Sequence, residues 1–434
     1  MTPDHPLNHV NAHWLERLLA MAACSRVRAV DDVLTADGVC LLAKDELLSP
    51  VLKAALLGGP LLRPLEATLD VVGAVDGARL QDMAHQVLHS DGKVQPLLQM
   101  NGLGGRAAGW LEQLPVSGSL GLLLTMLDQS GQGELRSAVE GALVALVLGL
   151  QCGVHESNLP ALAAGALLHD IGELYLDPAA MRPGASLRPA EWRYLASHPL
   201  IGKRVLDELL PDWPLAGQIV LEHHERLDGS GYPRRIAGDQ MSLEGQIAGV
   251  ADTVCAVFRH YGRPLARAEI AMRIIPGQFP AQVTSIVSQV LRTAAPVAIS
   301  DADLPSIDTM ADSMHQLLAR LARVLITLDD VLENEQVQRF KPALLLTQRA
   351  GERINLIQRA FSSTGLDSLS EAEKLALFQQ DDPELHFEVI VAIEEIVWRL
   401  RELGRDLQLR REHLPEDMRS HFEPLIAALH SAHG

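Results

Sequence analysis

Apolar residues recur every three or four positions along much of the chain, which is the spacing of one face of an α-helix. The pattern is clearest in residues 301–434, where two long apolar stripes predict two long helices. Asp382 followed by Pro383 is typical of a helix start, and Gly404 is expected to end that helix. We predict a bundle of four or five helices here, serving packing, homodimer formation or contact with a protein partner. The stripes are Met310, Met314, Leu317, Leu318, Leu321, Val324, Leu325 and Leu328, and Leu385, Val389, Ile393, Ile396, Val397 and Leu400.

Residues 128–300 are also predicted to form consecutive helices. Residues 142–150 are apolar on nearly every face, so we expect this helix to lie at the centre of the fold. The longest apolar run, residues 141–150, is shorter than the ~20 residues that cross a bilayer, and no membrane span is predicted. A further helix is expected to begin near Asn158 and to continue through His169 and Asp170.

The first third of the chain has a mixed pattern. Residues 12–24 predict a short helix, and residues 76–127 predict helices with glycine breaks. Ala36-Asp37-Gly38 lies between two apolar stretches, which is a typical hairpin signal because glycine accepts positive φ. The predicted fold is therefore mainly α. It has a small α+β module in residues 1–127, an all-helical domain in residues 128–300 and a helical bundle in residues 301–434.

Composition narrows the possible classes of protein. The 434 residues are 47% hydrophobic, so extensive disorder is excluded, and the formal net charge is −18. A chain this acidic lacks the broad basic face that a nucleic-acid polymer needs, although locally clustered arginines would still suit a small anionic ligand. The four cysteines include no CxxC pair and are expected to be buried thiols. Since the first residues do not resemble a signal peptide, we expect a cytoplasmic protein.

Histidines and aspartates recur at wide, regular spacing in the middle segment. They stand in the apolar stretches ALLHDIG, YLASHPLIG, IVLEHHE and IAGVADTV, where an unpartnered polar side chain is costly. Separate helices that each present one or two of them inward indicate a shared partner, although separately satisfied core histidines are the alternative. Imidazole and carboxylate together favour iron, manganese or zinc over magnesium, and the number of ligands indicates two ions. The residues are His169, Asp170, His198, His223, His224 and Asp252.

Residues 223–233, HHERLDGSGYP, contain the complete pattern HHExxDGxGYP. With the HD pair, the later HP histidine and the VAD aspartate in order, residues 130–300 resemble the HD-GYP family. This family is a branch of the HD-domain metal phosphohydrolases, and its members hydrolyse the bacterial second messenger cyclic di-GMP. The resemblance implies that the six residues above bind two divalent ions, with Asp170 bridging them. The residues that it places at the substrate are Asp228, Gly231, Tyr232, Pro233 and Arg263.

The resemblance implies a metal-dependent cyclic di-GMP phosphodiesterase, with Asp170 and Glu173 as catalytic residues. A hydroxide bridging two ions, iron or manganese, would attack the phosphodiester and yield the linear dinucleotide or GMP. Tyr232 would offer a stacking face to a guanine. The alternative is a catalytically degenerate receptor or scaffold that signals through its flanking modules. A third possibility is an HD-type phosphohydrolase that acts on another nucleotide.

The sequence departs from the family pattern where charge matters. Glu173, in HDIGE, replaces the lysine of HDxGK and is either a further metal ligand or a solvated side chain. The upstream histidine is missing, and Glu134 or Glu140 would have to replace it. Without such a replacement, a third ion is not expected.

The remaining departures lie downstream. Cys255 stands in place of a second aspartate and is expected to be small and buried. Arg263, or Arg259 in a shifted register, takes the place of an arginine that approaches the phosphate in the family. Arg234 and Arg235 either add positive potential for a dinucleotide or form a solvated turn.

Overall fold

A computed structural model describes residues 6–116, 118–130, 133–181, 188–260, 264–274, 277–293, 304–380 and 382–431. The prediction of a mainly α fold with a small N-terminal sheet is confirmed. The chain divides into two compact units. The first comprises Met1–Arg259 and Phe279–Leu291, and the second His260–Gln278 and Arg292–Gly434. Residues 1–127 and most of the predicted HD segment therefore share one unit, and the three-domain division stays a prediction.

The first unit begins with short elements that carry two small antiparallel sheets. Strand β1 pairs with β4, and β2 pairs with β3. Gly38 has a φ of +84° in the β2–β3 connection, as the hairpin prediction required. The elements are α1 (Ala12–Ala22), β1 (Val27–Ala29), β2 (Val33–Leu34), β3 (Cys40–Leu42), α2 (Lys53–Leu56), β4 (Leu69–Val71), α3 (Gly77–Leu88), α4 (Gln95–Leu98), α5 (Gly104–Glu112) and α6 (Ser119–Gln129).

Helix α7 forms the centre of the first unit, as its apolar sequence predicted. It packs against α3, α4, α5 and α6, and also against α8. By length and composition α7 is apolar enough to cross a membrane, but 67% of its most apolar window is buried inside the fold, as in the core helix of a globular protein. The helices of this segment are α7 (Glu134–Cys152), α8 (Leu159–Leu167), α9 (Pro189–Leu195), α10 (His198–Leu209), α11 (Pro214–Glu222) and α12 (Leu243–His260).

The second unit is a helical bundle with an apolar core built from the predicted stripes. Asp382 caps α19, since its side chain accepts a hydrogen bond from the backbone N–H of Leu385. Helix α14 (Ala281–Thr293) lies mostly in the first unit. The helices of the second unit are α13 (Pro264–Arg273), α15 (Ile307–Glu333), α16 (Glu335–Arg339), α17 (Lys341–Ser362), α18 (Glu371–Phe378), α19 (Pro383–Arg411), α20 (Glu416–Arg419) and α21 (Glu423–His430).

Two sequence predictions about these elements are wrong. Gly404 does not end its helix, because α19 continues to Arg411. A Cβ at Gly404 would lie 3.0 Å from Leu429 Cβ, so this glycine lets α19 and α21 approach closely. The cysteines are not all buried either, since Cys24 and Cys40 are exposed, whereas Cys255 is buried as expected.

Candidate metal centre

Five of the six predicted ligands lie at or just beyond the ends of helices. Helix α8 ends at Leu167, and His169 and Asp170 occupy the turn before a 3₁₀-helix, Ile171–Tyr175. The expectation that this helix continues through His169 and Asp170 is therefore wrong, and Glu173 lies in the 3₁₀-helix that follows.

The other ligands come from three further helices. His198 is the first residue of α10, and His223 and His224 directly follow α11. Asp252 lies in the middle of α12. Four segments far apart in sequence therefore meet at one place in the first unit.

The structure brings all six predicted ligands together. Ligand atoms of Asp170, His198, His223 and His224 all lie within 4.8 Å of one another. Asp170 Oδ1 is 3.4 Å from His198 Nε2 and 3.5 Å from His223 Nε2. Its other oxygen, Oδ2, lies 3.0 Å from His169 Nε2. Asp252 closes the group, with Oδ1 3.6 Å from His169 Nε2 and Oδ2 3.9 Å from His224 Nδ1.

Backbone carbonyls orient three of the imidazoles. Each accepts a hydrogen bond from an Nδ1–H group, which leaves the Nε2 lone pair directed into the cluster. The pairs are His169 with the Ala166 carbonyl at 2.9 Å, His198 with the Leu195 carbonyl at 2.9 Å, and His223 with the Val220 carbonyl at 2.6 Å. This arrangement fixes the tautomer that a metal ligand requires.

The electrostatics divide the cluster into charged and neutral groups. Burial lowers the pKa of His169, but the negative charges of Asp170 and Asp252 outweigh burial and hold that pKa well above its usual value. Burial and the adjacent His223 hold the pKa of His224 well below its usual value. Burial likewise lowers the pKa of His223. His223 and His224 are thus neutral at pH 7, which is the form that binds a metal ion.

The donor set fits divalent transition-metal ions. His169 Nε2 is buried and makes no well-aligned hydrogen bond within the described part of the chain, although carboxylate oxygens of Asp170 and Asp252 lie close to it, so a bound cation in place of the proton would satisfy all three groups. Asp170 presents its two oxygens to different imidazoles, as a carboxylate shared by two ions would. Imidazole and carboxylate ligands suit iron, manganese and zinc.

Glycines permit the close packing that assembles this cluster. A Cβ at Gly172 would collide with the carbonyl oxygen of His198, and one at Gly249 would collide with that of His223. A Cβ at Gly165 would overlap Ile219 on α11. Gly172 belongs to the HDIG segment and Gly249 to the IAGVAD segment, and both segments carry ligands. A side chain at either position would prevent the close packing that brings the ligands together.

The loop after His224 folds back over the cluster. Gly229 has a φ of +72°, and the Ser230 N–H donates to Asp228 Oδ1 at 2.9 Å. The Tyr232 N–H donates to the His224 carbonyl at 3.1 Å. A Cβ at Gly231 would overlap the backbone of residues 224–226, so only glycine fits there. The loop thereby places Tyr232, followed by Pro233, directly beside the ligands.

Two buried glutamates hold this loop, and sequence reasoning missed one of them entirely. Glu222 accepts hydrogen bonds from Arg234 Nη2 at 2.9 Å and from the Ser242 backbone N–H at 2.9 Å. Glu225 accepts from the backbone N–H of Arg234 at 2.7 Å. The Arg234 guanidinium is therefore engaged inside the loop, which favours neither the phosphate-binding nor the solvated-turn expectation for this residue.

Tyr232 has less free surface than the sequence suggested. Its ring stacks on His224 at a centroid distance of 4.6 Å, so one face is covered by a predicted metal ligand. Trp192 of α9, which sequence reasoning missed, contacts Tyr232 edge to face at 5.5 Å. The only sequence signal for Trp192 was its place six residues before His198.

The positions that depart from the family pattern have distinct surroundings. Burial, followed by the charge of Asp170, raises the pKa of Glu173 to about 7, and Glu134 adds to this rise. Glu140, the other glutamate considered as a replacement for the missing upstream histidine, forms an ion pair with Arg136 at 3.5 Å. Cys255 is buried, as expected, and burial raises the pKa of its thiol to about 12.

The structure leaves the roles of the predicted phosphate-binding arginines untested. Arg259 is exposed on α12, and Arg263 lies outside the described residues. The roles assigned to both arginines therefore stay predictions.

Comparisons with known proteins match the middle of the chain. The family described as HD domain matches residues 123–277. The 3'3'-cGAMP-specific phosphodiesterase 3 of Vibrio cholerae is 38% identical over 102 residues, 24% of this chain and 22% of that protein. The cyclic di-GMP phosphodiesterase of Thermotoga maritima is 36% identical over 118 residues, 26% of this chain and 32% of that protein. The cyclic di-GMP phosphodiesterase PA4108 of Pseudomonas aeruginosa is 30% identical over 167 residues, 37% of this chain and 40% of that protein.

These matches span less than half the length of the relatives. Among solved structures, Bd1817, a HDG"Y"P protein from Bdellovibrio bacteriovorus, aligns with 50% of this chain and 70% of its own. The sequence identity is 18% and the TM-score is 0.35, a likeness too weak to carry an argument. Residues 123–277 match the HD domain family, and the resemblance of this part of the chain to the HD-GYP family is confirmed.

Proposed function

We propose that this protein is a metal-dependent phosphodiesterase that hydrolyses a cyclic dinucleotide, cyclic di-GMP or a close relative. The observation that carries the proposal is the convergence of six His and Asp side chains, with Asp170 between His169, His198 and His223. The relatives named above, which act on cyclic di-GMP or 3'3'-cGAMP, support this substrate class.

The six side chains would hold two divalent ions, with iron or manganese as the first candidates. When bound, two such ions polarise a phosphoryl oxygen and supply a nucleophile at neutral pH. The chain itself supplies the fixed geometry. His169, His198 and His223 present Nε2 because backbone carbonyls hold their Nδ1–H groups.

The loop beside the cluster would bind and orient the dinucleotide. Gly231 lets the backbone approach closely, and Tyr232 and Trp192 form an aromatic wall next to His224. Asp228 fixes the turn at Ser230 and therefore acts on the shape of this loop. An aromatic wall suits a nucleobase, since stacking is worth roughly 1–3 kcal/mol per base.

The test is a chromatographic time course with cyclic di-GMP and 3'3'-cGAMP. The protein is loaded anaerobically with iron(II) or manganese(II). We expect conversion to the linear dinucleotide or GMP, and we expect Asp170→Ala to abolish it together with most of the bound metal. Cys255→Ala serves as a control, because it changes a buried neutral side chain on α12 three residues after Asp252. Full activity of Asp170→Ala would contradict the proposal.

A second candidate function is a receptor that binds the dinucleotide without turnover. The observation that favours it is Glu173, a carboxylate whose charge adds to that of Asp170 where family members carry a lysine. Saturable binding of cyclic di-GMP with metal present and no product over hours would select this alternative. The flanking segments would then carry the signal.

A further inference from the structure

The 3₁₀-helix Ile171–Tyr175 connects the metal cluster to the N-terminal segment. It begins directly after Asp170 and contains Glu173. On one side Gly172 lies so close to α10 that a Cβ there would collide with the His198 carbonyl oxygen and the Gly202 nitrogen. A displacement of this short helix would therefore move Asp170 and press on His198 together.

The other side of the same 3₁₀-helix is held by residues far away in sequence. Tyr175 is 3% exposed, and its hydroxyl donates a hydrogen bond to Glu66 Oε1 at 2.9 Å. The ring of Tyr175 stacks on Trp14 of α1 at a centroid distance of 6.0 Å. Glu66 and Trp14 are themselves buried, so this contact is enclosed by protein.

Arg17 of α1 provides a second attachment. Its Nη2 donates to the carbonyl oxygens of Glu173 at 3.4 Å and Leu176 at 3.3 Å. Those carbonyls lie at the end of the 3₁₀-helix, where the Glu173 carbonyl also accepts a hydrogen bond from the Leu176 N–H at 3.1 Å. Trp14 and Arg17 thus contact the 3₁₀-helix from neighbouring turns of α1.

We propose that Glu66, Tyr175 and Arg17 are positioning residues for the metal centre, so that residues 1–127 form part of the machinery that sets the Asp170 carboxylate. Within the described part of the chain, none of the three forms a hydrogen bond with the side chain of a predicted ligand. They act by fixing the backbone that immediately follows Asp170. The inference deepens the proposed function, since it takes the His and Asp cluster to be a metal site.

The experiment measures the affinity of the whole chain for Mn²⁺ from the electron paramagnetic resonance signal of the free ion. Tyr175→Phe removes only the hydroxyl, and Glu66→Leu removes its acceptor. We expect each substitution to weaken Mn²⁺ binding by about 10-fold, because removing a group that orients a metal ligand typically lowers metal affinity by roughly 10- to 100-fold. Glu66→Gln keeps an acceptor oxygen and should stay within about 2-fold of the wild type. Arg17→Gln is a further variant should Glu66→Leu fail to fold.

Thr125→Val is the matched control for a buried hydroxyl. Thr125 Oγ1 accepts from the Val75 N–H at 2.8 Å and donates to the Gly121 carbonyl, away from the 3₁₀-helix. This variant should melt at a lower temperature than the wild type and bind Mn²⁺ unchanged. Mn²⁺ affinity is measured well below the melting temperature of every variant. A loss of affinity in the test variants but not in Thr125→Val would therefore reflect the position of the ligands and not the stability of the fold.

The possible outcomes are distinct. Weak Mn²⁺ binding by Tyr175→Phe and Glu66→Leu, with rescue by Glu66→Gln, supports the inference. Wild-type affinity in Tyr175→Phe, or an equal loss in Thr125→Val, overturns it while leaving the proposed function intact. A wild-type chain that binds no Mn²⁺, iron(II) or zinc overturns both.

Discussion

Glu173 is the single residue whose chemistry most changes what the site is expected to do. It places a carboxylate three residues after Asp170, where its pKa responds to the charges of Asp170, His198 and His169. Burial and Asp170 raise its pKa to about 7, which shows that its ionised form is disfavoured there.

We expect Glu173→Lys to lower the KM for cyclic di-GMP by about 10-fold, because it replaces a negative charge with a positive one beside an anion. The measurement is steady-state turnover, or ligand affinity if turnover is absent, with metal content determined on the same samples. Glu173→Gln should give an intermediate value. A fall in bound metal per chain in Glu173→Lys would show instead that Glu173 is a ligand.

Gly231 provides a second test at this scale. An added Cβ would overlap the backbone of residues 224–226, so Gly231→Ala must shift the loop that carries Tyr232. We expect at least a 10-fold loss of dinucleotide affinity with metal content retained, because the histidines are held by their own helices. The neighbouring Ser230→Ala should change affinity by less than about 2-fold, and equal losses in both variants would refute this role for Gly231.

The ligands were predictable because histidine and aspartate in apolar stretches are conspicuous in a sequence. Their partners in the fold were not. Glu222 receives its hydrogen bonds from Arg234 and Ser242, which lie 12 and 20 residues later in the chain. Trp192 reaches the site only because α9 and the loop after α11 meet in space. Such contacts depend on tertiary packing, which local pattern does not encode.

At the scale of elements, the spacing of apolar residues predicted which segments form helices, but it did not predict where each helix ends. Helix α19 starts at Pro383 as predicted, because the Asp382 cap is a local interaction. It runs through Gly404 because that glycine accommodates α21, a segment some twenty residues later. Helix α8 stops before His169 for a similar reason, since the following turn packs against α10.

Two glycines in helices allow a matched test of this explanation. A Cβ at Gly404 would lie 3.0 Å from Leu429 Cβ, whereas one at Gly351 would lie 3.5 Å from a Leu328 methyl group. Both alanine variants gain helix propensity, but only Gly404→Ala must push a neighbour away. We expect Gly351→Ala to melt higher than the wild type and Gly404→Ala to be about 1–2 kcal/mol less stable than Gly351→Ala. Equal melting temperatures would refute close packing at Gly404.

At the scale of the whole molecule, buried Glu66 links stability to pH. Burial raises its pKa to about 7, despite the hydrogen bond from Tyr175. Between pH 4.5 and 7 the unfolded chain loses this proton while the folded chain keeps it, so the contribution of Glu66 to stability falls as pH rises. Below pH 4.5 both states are protonated and the effect vanishes.

We therefore expect Glu66→Gln to raise the melting temperature more at pH 8 than at pH 5. The upper limit of the gain is about 3 kcal/mol. Thermal unfolding of both proteins at the two pH values is the measurement. Glu16→Gln is the control, because Glu16 is an exposed carboxylate on α1 whose ion pair with Lys53 lies at the surface. A gain for Glu66→Gln that is independent of pH would contradict the buried-proton explanation.

The position of α7 has a practical consequence for anyone who wishes to isolate the HD domain. A chain shortened to begin at residue 128 would keep α7 but lose α3 to α5 and nearly all of α6, which cover it. Leucines and valines that are now fully buried would face water, at about 1.5–3 kcal/mol for each side chain. Such a fragment is expected to aggregate on expression, and proteolysis of the intact protein should not release it as a stable piece. The smallest portion expected to purify as a stable unit therefore begins near the N-terminal helix.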